Sequence, residues 1–180
     1  QEIQFIGDKK IKDRKLKNII TSEESKLWKF ISQSIYLNNE RIEMDKRLLT
    51  SFYKNKGYYN VEITNSFVEF KNDNSFKLIF NIRSNEKYKF NDLTLVLSDD
   101  YDSKYFTKIS EILKRLKDQD YSLDKIEKVL EEVDKIALTK QYQFINASLD
   151  ETILSNNKLD ISITLKDNEK FYVEKINIMG

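Results

Sequence analysis

The chain of 180 residues contains no cysteine, no histidine and no proline, and only three glycines. Without cysteine there is no disulfide and no cue to a redox compartment. Without histidine, Ser-His and Cys-His nucleophile pairs fall away, as do the usual zinc sites and the commonest general base. No stretch approaches the roughly 18 consecutive apolar residues of a membrane-spanning helix. No secretory signal is visible at the start, which is the expectation for an internal piece of a longer chain. Net charge is only +1, but residues 1–85 hold 16 Lys/Arg against 11 Asp/Glu (+5) and residues 86–180 hold 15 against 19 (−4). That polarity either helps to orient partners or is a solvated surface. Hydrophobic residues make up 39% and charged residues 34%, which fits small modules with much exposed surface. The length suffices for two of them.

What is present is repetition. Arg83-Ser84-Asn85-Glu86-Lys87-Tyr88 leads into Leu93-Thr94-Leu95, and Lys166-Asp167-Asn168-Glu169-Lys170-Phe171 leads into Ile176-Asn177-Ile178. A third such opening, Ile3-Gln4-Phe5, stands at the start. Self-similarity at this spacing predicts tandem modules: residues 1–86, residues 87–170, and in 171–180 the opening strand of another. The junction at 85–87 has neither Gly nor Pro and reads as a short, restricted connection.

In the second module Leu93, Leu95 and Leu97 alternate with Thr94, Val96 and Ser98 as a strand. Tyr105, Phe106, Ile109, Ile112, Leu113 and Leu116 then recur at helical spacing. Asp120-Tyr121-Ser122 breaks that pattern, with Ser122 as N-cap and Lys125 at N3 of a second helix carrying Ile126, Val129, Leu130, Val133, Ile136 and Ala137. Two strands follow, through Ile145, Ala147 and Leu149 and through Leu159, Ile161, Ile163 and Leu165, joined at Ser155-Asn156-Asn157. The first module repeats this β-α-α-β-β order. Ile3 and Phe5 open it. Ile11, Leu16, Ile19 and Ile20 predict a helix from about Asp13. Ile42, Leu49, Phe52 and Tyr53 predict a second helix after Asn39, with Gly57 as its C′ residue. Tyr59, Val61 and Ile63 predict the next strand, with Asn60, Glu62 and Thr64 on its polar face. Phe76, Leu78, Phe80 and Ile82 close the module and align with Leu159, Ile161, Ile163 and Leu165 at a constant offset of 83. The expected class is α+β: two tandem units, each a three-stranded mixed sheet covered by two helices.

This order, with Phe5-Ile6-Gly7-Asp8 after the opening strand, resembles the polypeptide-transport-associated (POTRA) domains. Arg41-Ile42-Glu43-Met44-Asp45, then Leu48-Leu49 and Phe52-Tyr53-Lys54-Asn55-Lys56-Gly57-Tyr58, are similar to the second helix and following strand of such domains in outer-membrane protein assembly factors of Gram-negative bacteria. Glu23-Glu24-Ser25-Lys26-Leu27-Trp28-Lys29-Phe30 is similar to the inter-helix segment of the third such domain in alphaproteobacterial members. The resemblance therefore implies the third and fourth domains. The second module departs from the pattern, with Gln141-Tyr142 where the first has Gly57-Tyr58.

The resemblance implies a periplasmic, non-enzymatic array before a C-terminal membrane β-barrel, with no cofactor. The implied partners are unfolded outer-membrane proteins, accessory lipoproteins and neighbouring POTRA domains. Clients would bind by β-augmentation, a strand adding to an open sheet edge, commonly that of the second strand. Residues 58–68 are the candidate edge, with Tyr58, Tyr59, Asn60, Val61, Glu62, Ile63 and Thr64 at its centre; residues 142–152 are the counterpart. The alternative is an ordinary edge strand whose Glu62 discourages aggregation. The whole module then acts as a spacer that docks accessory lipoproteins, or belongs to a related outer-membrane secretion transporter. Trp28, Phe30 and Ile31 either form an apolar contact platform or fold over the core. Lys9, Lys10, Lys12, Arg14, Lys15 and Lys17 form a basic cluster: a solvated face, or one attracted to acidic headgroups or an acidic neighbour. A nucleic-acid role lacks any binding motif. Asp99-Asp100 and Glu131-Glu132 lack the wider ligand set of a metal site and read as surface charges.

Overall fold

A computed structural model describes residues 2–22, 39–70, 75–140, 142 and 145–167, with the side chains of 67–70, 75, 76, 145, 146 and 167 left aside. Trp28, Phe30, Ile31 and residues 171–180 lie outside this set. The elements run β1 (Glu2–Asp8), α1 (Asp13–Lys17), α2 (Asn39–Lys54), β2 (Glu62–Phe70), β3 (Ser75–Arg83), β4 (Lys89–Leu97), a short 3-10 helix (Ser103–Phe106), α3 (Thr107–Leu116), α4 (Leu123–Lys140), β5 (Ile145–Leu154) and β6 (Lys158–Asp167). Two three-stranded mixed sheets result, ordered β1-β3-β2 and β4-β6-β5. The closing strand of each repeat is thus central, and the strands either side of it are edges.

The chain divides into two compact units, Gln1–Lys89 with Gln119–Asp124, and Phe90–Asp118 with Lys125–Gly180. In the first, β1 runs parallel to β3 with Ile3 opposite Leu78 and Phe5 opposite Phe80, while β2 runs antiparallel to it from Glu62 opposite Arg83 to Phe70 opposite Ser75. Ile3, Phe5, Leu16, Ile42, Leu49, Tyr53, Leu78, Phe80 and Ile82 form its buried core. In the second, β5 and β6 pair antiparallel from Ile145 opposite Asp167 to Leu154 opposite Lys158. Leu159, Ile161, Ile163 and Leu165 are buried there, with Ile109, Leu113, Ile126, Val129 and Val133 of the two helices.

Two boundaries and one helix cap differ from the sequence reading, each for a local reason. The first helix spans only Asp13–Lys17; Ile11, Ile19 and Ile20 pack on the core from outside it. Helix α4 does start after Ser122, but the amide of Asp124 donates to Asn55 Oδ1 at 2.7 Å and the Ser122 hydroxyl donates to the same oxygen at 3.3 Å. Asn55, from the end of α2, thus satisfies one of the first-turn donors that a helix leaves open. The third difference falls at the candidate edge. Tyr58 N–H donates to Tyr53 C=O at 3.1 Å and Gly57 N–H to Lys54 C=O at 3.2 Å, the two bonds of a Schellman cap, with Gly57 left-handed at φ +95°. Tyr59 N–H and Val61 N–H then bond Gly57 C=O and Tyr58 C=O, so residues 58–61 turn and the strand begins only at Glu62.

Candidate strand-receiving edge

Ser84 N–H donates to Asp8 C=O at 2.9 Å, so Asp8 and Ser84 point toward each other across the β1–β3 seam. Successive backbone groups of a strand face opposite ways. Ile82, Phe80 and Leu78 therefore also face β1, while Arg83, Asn81, Ile79 and Lys77 face β2. Their partners Glu62, Thr64, Ser66 and Val68 are the hydrogen-bonded residues of the hairpin. The groups of β2 that face the open edge belong to Ile63, Asn65, Phe67 and Glu69. In the second unit Ser98 N–H donates to Leu165 C=O at 3.3 Å. The same alternation turns Lys166, Thr164, Ser162 and Asp160 toward β5, and leaves Ala147, Leu149, Glu151 and Ile153 facing outward.

Side chains of β2 alternate as the sequence implies. Glu62, Thr64 and Ser66 are exposed, and Ile63 is half-buried against the core. Glu62 pairs with Arg83 across the hairpin at 3.4 Å, an exposed contact of small energetic value. Beside the strand, a shallow groove of about 310 Å³ is lined by Glu43, Lys46, Arg47, Thr50 and Ser51 of α2 and by Ile63.

The other four candidates hold the strand's entry rather than its edge. The Tyr58 ring stacks edge-on to Tyr53 at 5.7 Å. Tyr59 meets Tyr88 at 5.6 Å and Tyr121 at 5.0 Å, with Lys54 Nζ 5.2 Å above its ring. Asn60 donates from Nδ2 to Tyr88 Oη at 2.8 Å, and Val61 packs on the core. The candidate edge is therefore corrected from residues 58–68 to β2, and of the named residues only Glu62, Ile63 and Thr64 lie in it. In the second unit Tyr142 N–H donates to Ala137 C=O at 3.1 Å, the bond that Tyr58 makes to Tyr53. Tyr142 lies before β5, as Tyr58 lies before β2.

The basic cluster is largely engaged. Lys9 pairs with Asp13, and Lys10 with Asp8 at 3.1 Å, a hydrogen bond that raises the Lys10 pKa. Lys15 lies 5.5 Å over the Phe52 ring. A shallow depression of about 460 Å³ is lined by Lys10, Ile11, Lys12, Arg14, Lys15 and Asn18. Asp99 and Asp100 are exposed. Glu132 accepts from Lys108 at 2.8 Å and from Lys135 at 2.7 Å, and these two hydrogen bonds lower its carboxyl to about 2.

Sequence reasoning passed over two residues that support this unit. Asp45 is fully buried; its Oδ1 accepts from the Thr21 amide at 2.6 Å and the Thr21 hydroxyl at 2.8 Å, and its Oδ2 from the Ser22 amide at 3.2 Å. Its position three residues after Ile42, on the apolar face of α2, was the available signal. Gly7 has φ +89°, and a Cβ there would lie 2.3 Å from Ile82 C=O; its place in Phe5-Ile6-Gly7-Asp8 carries no sign of that close approach.

The family model for POTRA, described as a surface antigen variable number repeat, matches residues 1–85. The outer membrane protein assembly factor BamA of Neorickettsia risticii (strain Illinois) is 25% identical over 181 residues, covering 99% of this chain and 24% of that protein. BamA of Neisseria meningitidis serogroup B (strain ATCC BAA-335 / MC58) is 22% identical over 180 residues, covering 99% and 22%. The chain spans about a quarter of the length of these curated relatives. Among solved structures, Haemophilus influenzae BamA POTRA3-5 superposes with a TM-score of 0.68 at 12% identity, covering 93% of this chain and 65% of that one. BamA from Haemophilus ducreyi lacking POTRA domains 1-3 gives 0.63 at 11% identity, covering 93% and 29%. At these identities the structures share a fold with this chain.

Proposed function

We propose that the chain is a non-catalytic strand-handling module of outer-membrane protein assembly, placed in the periplasm, a reading supported by the POTRA model match over residues 1–85 and by the similarity of the whole chain to part of BamA. The observation that carries this reading is the open side of β2, where the backbone groups of Ile63, Asn65, Phe67 and Glu69 face away from β3. An extended segment of an unfolded β-barrel protein pairs there through main-chain hydrogen bonds, so affinity depends little on its sequence. That suits clients that share strand-forming ability and nothing else. Neighbouring POTRA domains and a C-terminal membrane barrel belong to the same parent chain, and accessory lipoproteins join it as separate partners. The two modules, residues 1–86 and 87–170, each supply one such sheet, with β5 as the second receiving edge, and they correspond to the third and fourth domains of an alphaproteobacterial-type array.

The test is a titration of the isotopically labelled chain with ten-residue peptides copied from outer-membrane barrel strands. Amide shifts should concentrate in β2 and be largest at Ile63, Asn65, Phe67 and Glu69, with similar affinity for peptides of unrelated sequence. A charge-driven contact would instead map onto residues 9–17 and fade with salt. If β2 and β5 stay silent at millimolar peptide while a folded lipoprotein binds elsewhere, the module is a docking spacer.

A further inference from the structure

The two edges of the first sheet are not alike, and we infer that Lys9 makes them so, closing β1 to strand addition and leaving β2 as the receiving edge. The inference rests on the reading that this unit accepts strands, and adds which residue selects the edge. Asp8 faces β3, so the alternation that assigned β2 turns the backbone of Ile3, Phe5 and Gly7 outward. The Phe5 carbonyl accepts from Lys9 Nζ at 2.8 Å, and the Gly7 carbonyl accepts from Lys9 N–H at 3.0 Å. One residue therefore occupies two acceptors to which an incoming strand's amides would bond.

Lys9 is itself held in place. Its ammonium pairs with Asp13, and its carbonyl accepts from the Tyr53 hydroxyl and the Ile11 amide. Tyr53 is buried in the core, and that burial raises its hydroxyl pKa, so it stays a donor. A strand adding to β1 has to displace a charge-assisted hydrogen bond, which is stronger than the neutral one it would put in its place. Lysine at a strand edge also opposes pairing in its own right. On the other edge, among the described residues, no hydrogen bond reaches the outward groups of Ile63 or Asn65.

The second unit supplies the internal control. Asp8 and Ser98 are equivalent, since each bonds the central strand at the end of its opening strand. The residue after Asp8 is Lys9, and the residue after Ser98 is Asp99. An aspartate carboxylate only accepts hydrogen bonds and cannot cover a carbonyl. The cover over the Phe5 carbonyl is thus a property of the Lys9 side chain, whereas the bond to the Gly7 carbonyl is made by the main chain.

The experiment uses an acetylated, amidated ten-residue peptide of alternating Val and Thr and the labelled chain. In the wild type, shifts should fall on β2 and spare Ile3, Phe5 and Gly7. Lys9→Met removes the ammonium and keeps the length, and should raise affinity at β1 by about tenfold or more, the factor that loss of a charged hydrogen bond represents. Lys9→Arg keeps a cationic donor and should leave β1 silent. Lys9→Gln, shorter and uncharged, should respond as Lys9→Met does and replaces it if that variant does not fold. A β2 response with β1 unmoved in both uncharged variants overturns the inference. A β1 response in those variants without any β2 response upholds the closure of β1 by Lys9 and overturns β2 as the receiving edge. Silence at both edges in every variant overturns both.

Discussion

The first and second units carry the same fold on different edge chemistry. Their closing strands match on the core face, with Leu78, Phe80 and Ile82 answered by Ile161, Ile163 and Leu165, all buried. Their opening strands do not: Gly7 and Lys9 of the first stand where Leu97 and Asp99 stand in the second, at the offset of 90 that equates Asp8 with Ser98. The central strand is covered on both sides and its side chains fill the core, so its pattern is constrained. An edge strand has one side free, and there the residues are at liberty to differ and to set how the unit meets other chains.

The largest expected effect tests the sameness. Leu78→Ala and Ile161→Ala should each cost their own unit about 2–5 kcal/mol, from lost burial and the cavity left behind. Their exposures are 0% and 1%. Urea unfolding followed by amide signals from each sheet would read the two losses separately, and a loss below about 0.5 kcal/mol at either site would mean that the equivalence is broken.

Next in size is the difference at the opening strand. Gly7→Ala forces a side chain into a left-handed φ and sets its Cβ against the Ile82 carbonyl and Asn81 Oδ1, at 2.3 and 2.6 Å. Strain and overpacking together should cost about 2–4 kcal/mol. Leu97, with no positive φ, should tolerate Leu97→Met at below about 1.5 kcal/mol, a near volume-conserving change. Equal losses by thermal unfolding would show that the two opening strands are not distinct in this way.

The smallest effect is electrostatic. Glu132 titrates near 2 in the folded chain against an ordinary 4.5, because it accepts hydrogen bonds from Lys108 and Lys135. A depressed carboxyl stabilises the folded state above about 4.5, and that contribution is lost as pH falls toward about 2. It is solvent-exposed and correspondingly weak. Carboxyl-carbon NMR should follow the Glu132 titration, and Lys108→Met should move its midpoint upward; an unmoved midpoint would remove Lys108 from the pair.

Fold class, repeat and core were legible in the residues alone. Period-two and helical apolar spacing places Leu78, Phe80, Ile82, Ile109, Leu113 and Val129 correctly because burial acts on faces, and faces are written in spacing. Gly57 was legible as a helix end because only a left-handed residue closes that cap. The start of β2 was not legible, since Tyr59 and Val61 alternate as a strand would, while the Schellman bonds to Tyr53 and Lys54 turn the chain until Glu62. Nor was the role of Lys9, one lysine in a basic run, or that of Asn55, which caps a helix 67 or more residues away in sequence. Which backbone groups face an open edge, and which side chain reaches back to cover them, depend on register and on contacts between distant segments. Only the folded chain brings those segments within hydrogen-bonding distance.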